Sequence, residues 1–295
     1  MDIRKLSLRF DEGRGTVTVI DAAGERVLPL EGDAFARVAA TATIGSARGL
    51  EVDVAARRAW RDAGDAVTEL DGADFDALTP LLRAAVSEAR PPRPELDVGP
   101  SDAAFWQTLY EHGVDGWELT RAAPPLERWF DAQPPRGRQA LVVGCGRGHE
   151  ARMLASRGAE VVAVDFAPEA IAEARRLAHG AGLGAHIDFR ERDLFRLLDD
   201  PERYDLIVEH CCFCAIEPQR RQEYVEVMAR LLVDGGELVG LFWSHGRSGG
   251  PPFSVDAAEL ERLFSPRFVL AQISVPPDSV PLRQGQELLA RWRRR

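Results

Sequence analysis

The stretch LVVGCGRGHE, residues 141–150, decides how the rest of the chain is read. An apolar run breaks into three glycines on alternate positions, Gly144, Gly146 and Gly148. A glycine turn between a buried strand and a helix lets a ligand lie against bare backbone at the helix N-terminus. Glycines also make plain tight turns, so the motif alone is weak. Its surroundings strengthen it. EVVAVD (160–165) is a second strand-like run and ends in Asp165, 21 positions after Gly144. A carboxylate there can accept hydrogen bonds from both hydroxyls of a ribose.

Outward from this pair the chain alternates. RQALVV (138–143), EVVAVD, HIDFRERD (186–193), YDLIVEH (204–210) and ELVGLFW (237–243) read as strands. HEARMLASRG (149–158), APEAIAEARRLAHG (167–180) and PQRRQEYVEVMARLL (218–232) read as helices, and DGG turns the chain into the fifth strand. Pro218 stands where a helix tolerates proline, and Gly180 where a helix ends. The alternation predicts a parallel sheet with helices on both faces. A helix over 255–264 then leads to FVLAQISV (268–275) and ELLARWRR (287–294), an antiparallel hairpin at the sheet edge. The expected fold is α/β: a Rossmann-like, seven-stranded, mostly parallel sheet with an antiparallel terminal hairpin.

Two features separate the nucleotide classes. The glycine set is G-x-G-x-G, with His149 and Glu150 following, and not the dinucleotide pattern G-x-G-x-x-G. Asp193 follows the third strand in RERDLF. A carboxylate there can accept from an adenine amino group, or equally cap the next turn. S-adenosylmethionine is therefore the expected cofactor. The terminal hairpin points the same way, to class I methyltransferases over dehydrogenases.

Before this region lies ARPPRPELDVGPSD (89–102), whose four prolines mark a linker. The preceding segment has short period-two stretches, IRKLSLRF, TVTVID, RVLPL and GLEVDV, and then a helical pattern over 74–89. It has neither His nor Cys and shows no catalytic constellation. The expected division is a small α+β domain over 1–92, a linker over 93–102, and a cofactor-binding domain over 103–295.

The net charge of the 295 residues is -10, a poor basis for gripping phosphate backbones. A small-molecule partner is expected, with no nucleic acid. The basic run Arg291 to Arg295 around Trp292 reads as a solvated end. No apolar run reaches the length of a membrane span, and MDIRKLSLRFDEG lacks a signal-peptide core, so no membrane and a cytoplasmic location are expected. A monomer or weak homodimer is the expected state.

EHCCFCAIEP (209–218) puts Cys211, Cys212 and Cys214 within four positions, and Cys145 lies in the glycine turn. One C-x-x-C spacing is short of the paired knuckles of a structural zinc site, and no metal is expected. A functional disulfide, and cysteines that bind a soft metalloid substrate, stay open as alternatives.

Six segments together narrow the reading: FWQTLYEHGVDGWELTRAAPPL (105–126), LVVGCGRGHE, VVAVDFAPEAI, HCCFCAIEPQRR (210–221), SGGPPFSV (248–255) and PDSVPLRQGQELLARWRR (277–294). They resemble the plant thiol/halide methyltransferases, members of the thiopurine S-methyltransferase family, over roughly residues 103–295. The resemblance implies methyl transfer from S-adenosylmethionine to a soft nucleophile: thiols, hydrosulfide, thiocyanate, halides, thiopurines, or selenium and tellurium species. It implies a cofactor site of Trp106, Tyr110, Trp117, Gly144, Gly146, Asp165, Asp193, Leu194 and His210. Tyr110 stands where the plant enzymes have tryptophan, His210 where they have tyrosine, and Cys211–Cys212 where they have Thr-Phe. These departures put halide in doubt and favour a thiol or hydrosulfide. His210, at the end of the fourth strand, is expected to assist deprotonation or to orient the nucleophile. Cys211, Cys212 and Trp243 are the expected pocket wall. The alternatives are a selenium, tellurium or arsenic methyltransferase, and a non-catalytic module that binds the cofactor and regulates.

Overall fold

The computed structural model describes residues 6–11, 16–21, 24–29, 49–53, 58–62, 67–69, 94, 96–112, 114–280 and 283–295, the first six stretches as backbone. The chain divides into two compact units, residues 1–93 with 280–282 and residues 94–279 with 283–295. In the first unit, β1 (Leu6–Asp11), β2 (Thr16–Asp21), β3 (Gly24–Pro29), β4 (Gly49–Asp53), β5 (Arg58–Asp62) and β6 (Val67–Glu69) form an antiparallel sheet in the order β3-β2-β1-β4-β5-β6. The first four match the expected strands. RAWRD and VTE were not expected, being too short and too charged to show a clear period. The helix predicted over 74–89 lies outside the described residues.

The second unit opens with α1 (Ala103–Glu111), capped by Asp102, whose carboxylate accepts from the Ala104 N–H at 2.9 Å, and α2 (Pro124–Ala132). The chain then alternates: β7 (Gln139–Val143), α3 (His149–Ser156), β8 (Glu160–Asp165), α4 (Pro168–Gly180), β9 (Ile187–Glu191), β10 (Tyr204–His210), α5 (Arg221–Leu231) and β11 (Leu232–Trp243). Helix α6 (Ala257–Phe264) and the strands β12 (Phe268–Ser274) and β13 (Glu287–Arg294) close it. The sheet order is β12-β13-β11-β10-β7-β8-β9. All neighbours are parallel except β13, which runs antiparallel to both β11 and β12. This is the predicted seven-stranded Rossmann-like sheet with its terminal hairpin.

Residues 140–143 and 206–208 are buried throughout. Strands covered on both faces need such unbroken apolar runs. One face packs Phe213, Phe242, Phe264 and Trp292; the Phe264 and Trp292 rings stack with centroids 5.0 Å apart. The other packs Leu126, Phe130, Leu154, Ile171 and Phe189. Each such side chain contributes about 1.5–3 kcal/mol by burial.

Two local expectations need correction. DGG at 234–236 does not precede the fifth strand but lies within it, where the β10–β11 register jumps from Tyr204↔Leu232 to Leu206↔Glu237. The terminal basic run is not a loose end. Trp292 is fully buried, Arg291 pairs with Glu237 and Arg294 with Asp234, because β13 is paired on both sides.

The topology positions the site. From β7 the chain steps outward through β8 and β9, then returns to lay β10 on the other side of β7. The pairs Leu206↔Ala140 through Glu209↔Val143 bring the ends of β7 and β10 level. Gly144 and His210 therefore leave the sheet side by side, at the reversal where open α/β sheets hold ligands.

Candidate active site

The glycine turn needs its glycines. Gly144, Gly146 and Gly148 have φ of 55°, 50° and 72°, a left-handed backbone that disfavours other residues. A Cβ on Gly144 would stand 2.8 Å from the Cβ and Sγ of Cys212, and one on Gly146 3.0 Å from the Tyr110 hydroxyl. Asp165 braces the turn: one carboxylate oxygen accepts from the Gly146 N–H at 2.9 Å, the other from Ala167 N–H at 3.0 Å. Burial pushes its carboxyl above the ordinary range, against these two bonds. A further hydroxyl donor would favour the ionised form.

One cavity is lined by Gly144, Gly146, Asp165, Asp193, Leu194, Trp106, Tyr110, Trp117, His210, Cys211 and Cys212. Apart from Trp243, these are the residues the sequence singled out. Trp117 meets Trp106 and Tyr110 edge-on, with centroids 5.3 Å and 5.5 Å apart, and its indole N–H donates to the Tyr110 hydroxyl at 3.3 Å. The Trp106 N–H donates to the carbonyl of Pro100 at 2.8 Å. Both polar tips are thus occupied, and the ring surfaces remain to meet a ligand. Asp193 caps the turn Leu194–Asp199 by accepting from the Phe195 N–H at 2.9 Å, and it also lines the cavity. A glycine cradle, a buried carboxylate beside it and an aromatic trio fit a nucleoside carrying a cationic sulfonium.

At the opposite wall His210 is held from both sides. Its Nδ1 lies 2.8 Å from a carboxylate oxygen of Glu150, which also accepts from the Ala123 N–H at 3.1 Å. Its Nε2 lies 3.1 Å from a guanidinium nitrogen of Arg283, and the same nitrogen is 3.2 Å from the Cys211 sulfur. The other Arg283 terminal nitrogen donates to the Trp117 carbonyl at 2.8 Å, and a carboxylate oxygen of Glu287 lies 3.5 Å from the first. Burial alone would lower the imidazole's affinity for its proton. Cys211 and Glu150 outweigh it and leave His210 well above its ordinary value. The same arrangement holds the Cys211 thiol well below its ordinary value, through the Cys214 side chain beside it first and then the charges of Arg283 and His210. With Nδ1 on Glu150 and Nε2 facing an Arg283 donor, both ring nitrogens of His210 are engaged and neither is free to take a proton from a substrate.

Trp243 is not on the cavity wall. Its ring lies under Arg283, 4.7 Å from the guanidinium, one layer behind Cys211. Cys145 and Cys212 do line the cavity, but burial pushes both thiols well up; Cys214 is pushed up by its bond to Cys211 and by burial. All four cysteines are free thiols. Among the described residues no group of three or more His, Cys, Asp or Glu side chains is placed to hold a metal ion, and no helix is long and apolar enough to cross a membrane. The sequence reading missed Glu150 and Arg283. Glu150 sits in the first turn of α3 but faces inward, 7% exposed, and a charged residue on the apolar face of that helix was the available signal. Nothing local marks Arg283.

Residues 101–292 match the family model described as Thiopurine S-methyltransferase. Thiocyanate methyltransferase 1 of Arabidopsis thaliana is 33% identical over 192 residues, 64% of this chain and 84% of the relative. Thiopurine S-methyltransferase of Aliivibrio fischeri is 30% identical over 174 residues, 55% of this chain and 82% of the relative. A solved structure of Burkholderia thailandensis 1,6-didemethyltoxoflavin-N1-methyltransferase, with bound 1,6-didemethyltoxoflavin and S-adenosylhomocysteine, aligns with a TM-score of 0.54. It covers 81% of this chain and 96% of that one at 21% identity, a likeness of fold.

Proposed function

The chain belongs to the thiopurine S-methyltransferase family of S-adenosylmethionine-dependent methyltransferases, and from that premise we propose that it methylates a small, anionic, soft nucleophile, a thiolate or hydrosulfide. The transfer chemistry is assigned to residues 103–295. When bound, the cofactor supplies an electrophilic methyl group on a sulfonium. Asp165 would accept from the ribose hydroxyls, Asp193 and Leu194 would meet the adenine, and Trp106, Tyr110 and Trp117 would face the cation and keep water from it. In-line transfer depends chiefly on positioning, which a rigid wall supplies.

The observation that carries the acceptor class is the pairing of His210. Held between Glu150 and Arg283, it has both ring nitrogens engaged and offers a substrate no free base. Such a wall favours an acceptor that arrives already ionised. A free cysteine-like thiol, with a pKa of roughly 8.5, is ionised only in small part at neutral pH, whereas hydrosulfide and aromatic thiols ionise more readily. The order of preference therefore runs from hydrosulfide and aromatic thiols to alkyl thiols. The test is a methyl-acceptor panel of hydrosulfide, thiophenol, small alkyl thiols, a thiopurine, iodide, selenite and tellurite, read by formation of S-adenosylhomocysteine. Turnover led by hydrosulfide and thiophenol is expected. Turnover confined to iodide, or to selenite and tellurite, refutes the assignment, and so does none at all.

A further inference from the structure

We propose that Cys211 is itself a methyl acceptor, so that a chain holding the methyl donor without an external acceptor marks its own wall. The inference rests on the cofactor half of the reading above, and its step is a transfer between two groups facing one cavity. Cys211 is the first residue beyond β10, and its φ of 62° is left-handed. For a residue with a Cβ this backbone is strained and persists only where the surroundings hold it. The surroundings here are specific. Arg283, 3% exposed, ties the Cys211 sulfur to the Trp117 carbonyl through its two terminal nitrogens. The sulfur is thereby linked to the aromatic trio that faces the sulfonium end of the cavity. His210 stands beside it and is oriented in turn by Glu150. A nucleophile paired with a histidine that a third group orients is the arrangement of covalent catalysts.

The other thiols make the contrast. Cys212 packs under the glycine turn, with its sulfur 2.8 Å from where a Cβ of Gly144 would stand. The Cys214 thiol donates back to the carbonyl of Cys211 at 3.2 Å, and Cys145 toward the carbonyl of Gly146 at 3.7 Å. Both Cys145 and Cys212 line the cavity, yet among the described residues the charges that act on them are those of Asp165, Glu150, Glu209 and neighbouring thiols, none of which would hold a thiolate. Of the four sulfurs, only that of Cys211 receives a guanidinium. The reaction balances without a further reagent. The thiolate lone pair of Cys211 forms the Sγ–CH3 bond. The bond from methyl to the sulfonium sulfur breaks, its electron pair returns to that sulfur, and the thiolate and sulfonium charges cancel with no proton moved. The product thioether no longer offers Arg283 an anion and fills the acceptor end of the cavity.

The experiment uses the full, reduced chain incubated with S-adenosylmethionine alone and, in parallel, with excess hydrosulfide while methanethiol is measured. Trypsin releases residues 204–220 as one peptide carrying Cys211, Cys212 and Cys214, because Arg203 and Arg220 bound it. The expected result is the mass gain of one methyl group, placed on Cys211 by fragmentation, in the sample without acceptor. It falls with hydrosulfide and is lost in Cys211→Ser. The wild-type map alone decides the matter should the variant fold poorly. Methanethiol without a methyl on Cys211 in either sample overturns the proposal and leaves the thiol reading standing. A methyl on Cys211 without methanethiol does the reverse. A methyl spread evenly over the three cysteines, or neither product in a chain shown by calorimetry to bind S-adenosylhomocysteine, also overturns it.

Discussion

Replacing Glu209 by Gln tests the physical basis of the wall that presents His210 and Cys211. Glu209 is 1% exposed at the end of β10. One carboxylate oxygen accepts from the Phe213 N–H at 2.8 Å and the other from the Tyr224 hydroxyl at 2.9 Å, so the residue pins the turn between them. Burial pushes its carboxyl up to about 7 against both bonds. The pKa is raised by folding, so the folded state holds a proton that the unfolded state loses from about pH 4.5 upward. Stability from this group is full below about pH 4.5 and is lost as pH rises through about 7. With the ordinary value at 4.5 and about 1.4 kcal/mol per pH unit, the whole effect is about 3.4 kcal/mol, of which about 2.5 kcal/mol falls between pH 5 and 8. Gln has no proton to lose. Urea unfolding of both chains from pH 5 to 8 isolates the term, because other titrating groups are common to both. The gap should move by about 2.5 kcal/mol in favour of Glu209→Gln as pH rises. A gap that stays level within about 0.5 kcal/mol refutes the claim that burial dominates at Glu209.

Three further predictions concern the cavity. Asp165→Asn should weaken binding of S-adenosylhomocysteine, measured by calorimetry, by about 1.5–3 kcal/mol, the worth of one hydrogen bond to a charged group, or roughly 10- to 150-fold. An unchanged affinity would remove Asp165 from the ribose site. Gly146→Ala should lower the melting temperature and reduce the same affinity, since φ of 50° strains any Cβ and the Tyr110 hydroxyl stands 3.0 Å from it. Equal affinity and stability would refute the need for glycine. Arg283→Met should raise the pH at which Cys211 becomes alkylated by iodoacetamide, since one of the charges that hold the thiol down is gone; it strands Glu287, at about 3–5 kcal/mol of stability, so the double variant with Glu287→Gln is the cleaner one. An alkylation profile that does not move would show that Cys211 takes its character from Cys214 and His210 instead.

The fold was legible where physics is local. Unbroken apolar runs, period-3.6 helices and glycines at fixed places marked the seven-stranded sheet, and strands β1 to β4 showed their period of two. Legibility failed where pairing decides. DGG looks like a turn and proved to be a register irregularity, because β10 lies beside it. RWRR looks like a solvated tail and proved to be a strand, because partners on both sides cover Trp292. Strands β5 and β6 carry too little apolar sequence to announce themselves and are known from their neighbours.

The two halves of the cavity differ in the same way. The proposed cofactor half centres on one strand–turn–strand passage, Gly144 to Asp165, which spacing exposes; its aromatic residues Trp106, Tyr110 and Trp117 were reached only through the family resemblance. The acceptor half is assembled from three distant places. His210 meets Glu150, 60 positions away, and Arg283, 73 positions away in the other direction. No local pattern encodes that meeting. It follows from β10 landing between β7 and β11, with β13 returning antiparallel on the far side of β11 to bring Arg283 to the end of the sheet. The sequence could nominate His210, at the end of the fourth strand, to assist deprotonation or to orient the nucleophile. Only its two partners show that both ring nitrogens are engaged, and that is why the proposed acceptor is an anion that is ready to react, in place of a thiol that waits to be deprotonated.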